Sequence, residues 1–140
     1  MHNRKLLSGL ALGLGMSLGL MATGASAAGF DGKSNLVCAA YHVAGCADGA
    51  CVEGIPQTFD VPIFMYMDFK RKVVHGTNKN GEEMTSPIKN FEVTDNAIIL
   101  QGIENHRGWT TGIDRQSGEL TLSSTGADVS FIIFGNCTNR

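Results

Sequence analysis

Trp109-Thr110-Thr111-Gly112-Ile113-Asp114-Arg115-Gln116-Ser117-Gly118-Glu119-Leu120-Thr121-Leu122-Ser123 decides the fold class. Trp109, Thr111 and Ile113 alternate onto one face of a strand, and Leu120 and Leu122 share one face of the next. Between them, the Asp114 side chain can cap a turn. Gly118 can take the left-handed backbone conformation that side-chained residues avoid. This is a β-hairpin with a stated mechanism, and its period of two excludes an amphipathic helix.

The same pattern recurs outward from the hairpin. Strands are expected over residues 35–44, 63–69, 72–75, 88–94, 97–103 and 129–135. Residues 46–56 read as a Gly- and Cys-bearing loop, and 57–61 as a short strand or helical turn stopped by Pro62. Asn80-Gly81, Asp95-Asn96 and Gly126 with Asp128 supply turns. No long segment shows a 3.6-residue apolar period. The predicted fold is therefore all-β, an antiparallel meander forming a small barrel or sandwich.

The chain of 140 residues opens with Met1-His2-Asn3-Arg4-Lys5, an uncharged run from Leu6 to Met21, and Ala25-Ser26-Ala27. That is the three-part pattern of a cleaved secretory signal peptide over 1–27. It leaves 28–140 as a single all-β domain, periplasmic or secreted, with no stable membrane insertion after cleavage. The mature part keeps nine basic residues against thirteen acidic, a formal charge of −4. Nucleic-acid binders carry a basic face, so none is expected as a partner. Lys70-Arg71-Lys72 is the one basic cluster and reads as a solvated turn or strand end.

Four cysteines, Cys38, Cys46, Cys51 and Cys137, lie in the mature part. An even number in an exported chain reads as disulfides. Cys46 and Cys51 enclose Ala47-Asp48-Gly49-Ala50, suited to a tight turn, which would leave Cys38 for Cys137. The pairings 38–46 with 51–137 and 38–51 with 46–137 stay open. The spacing lacks a paired CxxC, which argues against a metal.

Residues able to carry chemistry are scattered. His42, His75 and His106 form no ligand pair, and alternation places His42 on the face of Cys38. Ser86, Ser117, Ser123, Ser124 and Ser130 lie in no nucleophile motif. Asp60, Asp68, Glu92, Glu104 and Asp114 show no pairing. No catalytic residue, metal site or cofactor is assigned. Candidate surface residues come from two stretches. In Ile63-Phe64-Met65-Tyr66-Met67-Asp68-Phe69 both strand faces are apolar. Either the strand is covered on both sides, or Phe64 and Tyr66 form a binding or dimer surface. His106 and Arg107, with Trp109 beyond them, form the second, a loop entering a strand.

From Ile99-Leu100-Gln101-Gly102 through Gly108-Trp109, Ile113-Asp114-Arg115 and Gly118-Glu119-Leu120 to Phe134-Gly135-Asn136-Cys137, the chain resembles small exported proteobacterial proteins of unknown function. That resemblance implies export, a β fold and disulfides. In architecture it also resembles periplasmic lysozyme inhibitors of the MliC type, small exported barrels with a cysteine near each end. Their inhibitory loop carries a Ser-Gly-x-x-Tyr type motif; Ser124-Thr125-Gly126-Ala127 lacks the Tyr, so no functional residue carries over.

The expected function is an exported, non-enzymatic binding or inhibitory module of the bacterial envelope. Its partner would be an envelope protein or a lysozyme-like enzyme. The alternatives are a small periplasmic hydrolase using carboxylate and His residues, or a structural component of an envelope assembly.

Overall fold

The computed structural model describes residues 29–140. The signal peptide expected over 1–27 lies outside the described residues. Among the described residues nine strands make one antiparallel sheet: β1 (Leu36–Ala47), β2 (Ala50–Gly54), β3 (Phe64–Asp68), β4 (Val73–Thr77), β5 (Glu83–Val93), β6 (Ala97–Glu104), β7 (Arg107–Asp114), β8 (Glu119–Thr125) and β9 (Val129–Asn139). A 3-10 turn, Pro56–Phe59, separates β2 from β3. From β3 to β9 each strand pairs with the next, and β9 returns to pair along the whole of β1. That closure makes an eight-stranded barrel of β1 and β3–β9, and resolves the choice between barrel and sandwich. Among the described residues no helix is long and apolar enough to cross a membrane.

β1 is shared along its length. Its first half, Leu36–Ala39, pairs with β3, and its second half, Val43–Ala47, pairs with β2 on the same side. β2 corrects the loop expected over 46–56. Asp48 and Gly49 both have positive φ, at 52° and 77°, and form the two-residue hairpin turn whose twist matches the strands. β5 begins at Glu83, five residues before the expected start, because Glu83–Pro87 pair with β4. His42 also needs correction. The β1–β9 register shifts between Ala40 and His42, so Tyr41 bulges outward and the alternation changes phase. Leu36, Cys38 and Ala40 point inward, then Val43; His42 faces out beside Phe134 and Glu53.

The barrel interior is the core. Leu36, Met67, Ile98, Leu100, Ile113 and Leu120 are fully buried within it. Trp109, Thr111 and Ile113 do share the inward face of β7, opposite Leu120 and Leu122 of β8. One end is shut. Phe30 packs against Gly118, and Arg115 binds the Phe30 carbonyl (2.8 Å) and the Thr94 carbonyl (2.7 Å). Two disulfides staple the domain, Cys38–Cys137 near this closed end and Cys46–Cys51 across the β1–β2 hairpin. Each joins residues directly opposite in an antiparallel register, where Cβ atoms lie closest. Two disulfides in so small a domain fit an oxidising, exported compartment. Lys70, Arg71 and Lys72 form the exposed β3–β4 turn, with Asp68 accepting from the Arg71 N–H at 2.8 Å.

Candidate functional site

At the other end the barrel opens into a cavity of about 300 Å³. Its wall is made by the inward positions nearest the mouth. Met84 and Ser86 come from β5, Glu104 from β6, Arg107 and Trp109 from β7, and Phe131 and Ile133 from β9. The floor is apolar, through Met65, Val74, Leu122 and Ile133.

Local sequence explains this rim. β6 and β7 are joined by only Asn105 and His106, with φ of 47° and 64°. Positive φ at both positions is the tight hairpin turn that side-chained residues rarely adopt, and Asn tolerates it best. The turn puts Glu104 and Arg107 directly opposite one another, both half-buried on the inward side. Among the described residues neither forms an ion pair. The Arg107 guanidinium instead lies 5.8 Å from the Phe131 ring centroid.

The 3-10 turn covers part of the mouth. Phe59 sits on Gly45, where a Cβ would come within 2.8 Å of its ring, and packs edge-to-face with Phe131, the ring centroids 6.1 Å apart. The β4–β5 turn holds this cover in place. Asn78 donates to Asp60 at 3.3 Å and Glu82 at 2.8 Å, and the Lys79 ammonium donates to the Gln57 carbonyl at 3.1 Å.

Deeper in, the Trp109 indole lies flat on the barrel wall. A Cβ on Gly102 would stand 2.3 Å from Trp109 Cζ2, so only glycine admits the ring there. The indole N–H donates to Ser86 Oγ at 2.7 Å, a bond that fixes the ring's direction. By lying along the wall the indole leaves the lumen beside it open.

The sequence candidates therefore divide. Arg107 and Trp109 meet in the cavity. His106 is exposed at the turn just outside it, with Asn105 lining the edge. Phe64 and Tyr66 lie on the outer face of β3. Phe64 is 53% exposed, and Tyr66 stacks on His75 at 5.1 Å with Arg140 over its ring at 5.3 Å. A separate depression of about 230 Å³ runs along this face past Gln57 and Lys79. Strand β3 is thus covered on its inner face and only in part on its outer one, where Tyr66 is half-buried and Phe64 exposed. Ser86, Glu104 and Asp60 belong to the site without having been singled out as binding residues. The sequence signal for Ser86 was its position between Met84 and Ile88 on an inward face.

Among the described residues no group of three or more His, Cys, Asp or Glu side chains could hold a metal ion. No protein-family model matches the chain, and no curated protein matches it.

Proposed function

We propose that this domain is an exported, non-enzymatic binding module of the bacterial envelope, working in the periplasm or after secretion, and that its ligand enters the open end of the barrel. The observation that carries this reading is the cavity of about 300 Å³ beside Trp109. An eight-stranded barrel is just wide enough either to fill itself with side chains or to hold one small ligand. Here the closed half is filled and the open half is not. An apolar hollow with a few convergent polar groups is the usual form of a small-molecule site. Its polar groups include Ser86, Ser124, Glu104 and Arg107, with Asp60 at the mouth.

A protein partner, such as an envelope protein or a lysozyme-like enzyme, is the second reading. It is favoured by Phe64 at 53% and Ile63 at 38% exposure, adjacent apolar residues on the outer face.

Trp109 is the chain's one tryptophan, so the cavity carries its own reporter. The test is titration of the mature protein with bromohexane, whose bromine quenches indole emission on contact. Saturable quenching at one equivalent is expected. Quenching that rises linearly, without saturation, would overturn the cavity reading. In parallel, native mass spectrometry of protein drawn gently from the periplasm would show an added small mass, or a co-purified protein if the second reading holds.

A further inference from the structure

Resting on the cavity reading above, we infer that the ligand is an uncharged carbonyl compound with a short apolar body, its carbonyl oxygen accepting a hydrogen bond from the Ser86 hydroxyl.

Ser86 is 5% exposed and lines the cavity. Its oxygen accepts the Trp109 indole N–H at 2.7 Å. A serine hydroxyl has one proton to donate besides its two acceptor positions. Among the described residues nothing accepts that proton. Trp109 fixes Ser86 as an acceptor in that direction, so the O–H is left to turn toward the cavity. A buried donor without a partner is costly, and a ligand oxygen placed there removes the cost. The ligand must match the hydrogen bond that water would otherwise give. Indole has no acceptor to offer, and the neighbouring lining of Met65, Leu122 and Ile133 has no strong one. The complement to Ser86 is therefore an acceptor oxygen on the ligand.

The mouth decides the ligand's charge. Asp60 and Glu104 place two carboxylates among its lining, against the single guanidinium of Arg107. Asp60 is exposed, while Glu104 and Arg107 face inward across the β6–β7 pair. An anionic head meets more repulsion than attraction there. An amide or ketone keeps the acceptor oxygen and carries no charge, and an amide N–H suits Glu104. Size sets the body. At about 30 Å³ per small group, the hollow holds on the order of ten non-hydrogen atoms.

The experiment is competition against bromohexane, read from Trp109 emission, with hexanamide, methyl butyl ketone and hexanoate. The bound ketone's carbonyl stretch is then recorded by isotope-edited infrared spectroscopy in the wild type and in Ser86→Ala. Both neutral carbonyl compounds should displace the probe, with hexanoate weaker by about tenfold, the size of one such hydrogen-bond or charge difference. The ketone stretch should be lowered as in a hydrogen-bonded carbonyl, and should move in Ser86→Ala. If that variant fails to fold, the wild-type stretch decides alone. A stretch matching a free carbonyl, or hexanoate competing as well as hexanamide, would overturn the inference while bromohexane binding left the cavity reading standing. Failure of every compound, bromohexane included, would overturn both.

Discussion

Removing the two disulfides one at a time should destabilise the domain very unequally. Cys38 and Cys137 are 99 residues apart in sequence, and Cys46 and Cys51 only 5. A cross-link acts largely by restricting the unfolded chain, so its effect grows with the logarithm of the loop it closes. That loop entropy gives about 4.7 kcal/mol for the long bridge and about 2 kcal/mol for the short one. Packing widens the gap. Cys38 is fully buried and Cys137 nearly so, whereas Cys51 is exposed. Alanine in place of the first pair therefore opens space in the core, and in place of the second it does not. For a domain of this size about 1 kcal/mol corresponds to roughly 4 °C in Tm. The expected losses are about 20 °C for Cys38→Ala with Cys137→Ala and about 8 °C for Cys46→Ala with Cys51→Ala. Thermal unfolding followed by far-ultraviolet circular dichroism, under non-reducing conditions, measures both. Equal losses, or a larger loss for the hairpin pair, would refute the argument from loop length and burial.

Two further predictions follow from single residues. Gly102→Ala should cost about 1–3 kcal/mol by urea unfolding, since the added methyl meets Trp109 Cζ2 at 2.3 Å and the Pro87 carbonyl oxygen at 2.5 Å; an unchanged urea midpoint and unchanged Trp109 emission would contradict the described ring position. Asp114 accepts from the Ser117 backbone N–H, the Ser117 hydroxyl and the Gln116 N–H, and these bonds hold its carboxyl below the ordinary value of 3.8. A carboxylate with a lowered folded pKa stabilises the fold above its unfolded value and loses that contribution as pH falls through its folded value. The stability difference between wild type and Asp114→Asn should therefore be constant near neutrality and shrink below about pH 3.8, and a difference that does not change with pH would refute the role given to the turn.

How much of this was legible depended on how local the cause was. The β7–β8 hairpin could be read because its alternation and its turn residues lie within 15 consecutive positions. Asp114 and Gly118 act in that turn as their chemistry suggests, with Gly118 at φ 77°. The bulge at Tyr41 could not be read. It is defined by two residues of β1 facing one of β9, nearly a hundred positions away. β2 was hidden by composition, because Ala50-Cys51-Val52-Glu53-Gly54 has little strand propensity of its own. The cross-strand cystine and the Asp48-Gly49 turn hold it to β1 instead. In the site, Arg107 reads from sequence as part of a loop before Trp109, whereas β7 begins at Arg107 and puts the two residues on one inward face. That Ser86 faces the same hollow depends on β5 lying two strands away across β6, information that belongs to barrel closure.

The same split of β1 accounts for the site's position at this end of the barrel. Where β1 pairs with β3, the wall is a continuous ladder, the long disulfide crosses it, and the segment around Phe30 closes the bottom. After the bulge, β1 pairs with β2 in place of β3, and β2 does not continue to β4. A strand is therefore missing from that part of the wall. The gap is bridged by the 3-10 turn Pro56–Phe59, which covers with one aromatic ring and a few hydrogen bonds to the β4–β5 turn. Such a cover buries less than a paired strand and opens at lower free-energy cost, as elements with few buried contacts do. The fold thus places its long cross-link and the filled part of its core at the end away from the mouth. Its hollow opens at the end where the wall is thinnest, with Trp109, Glu104 and Arg107 on the continuous β6–β7 wall across the lumen from the gap.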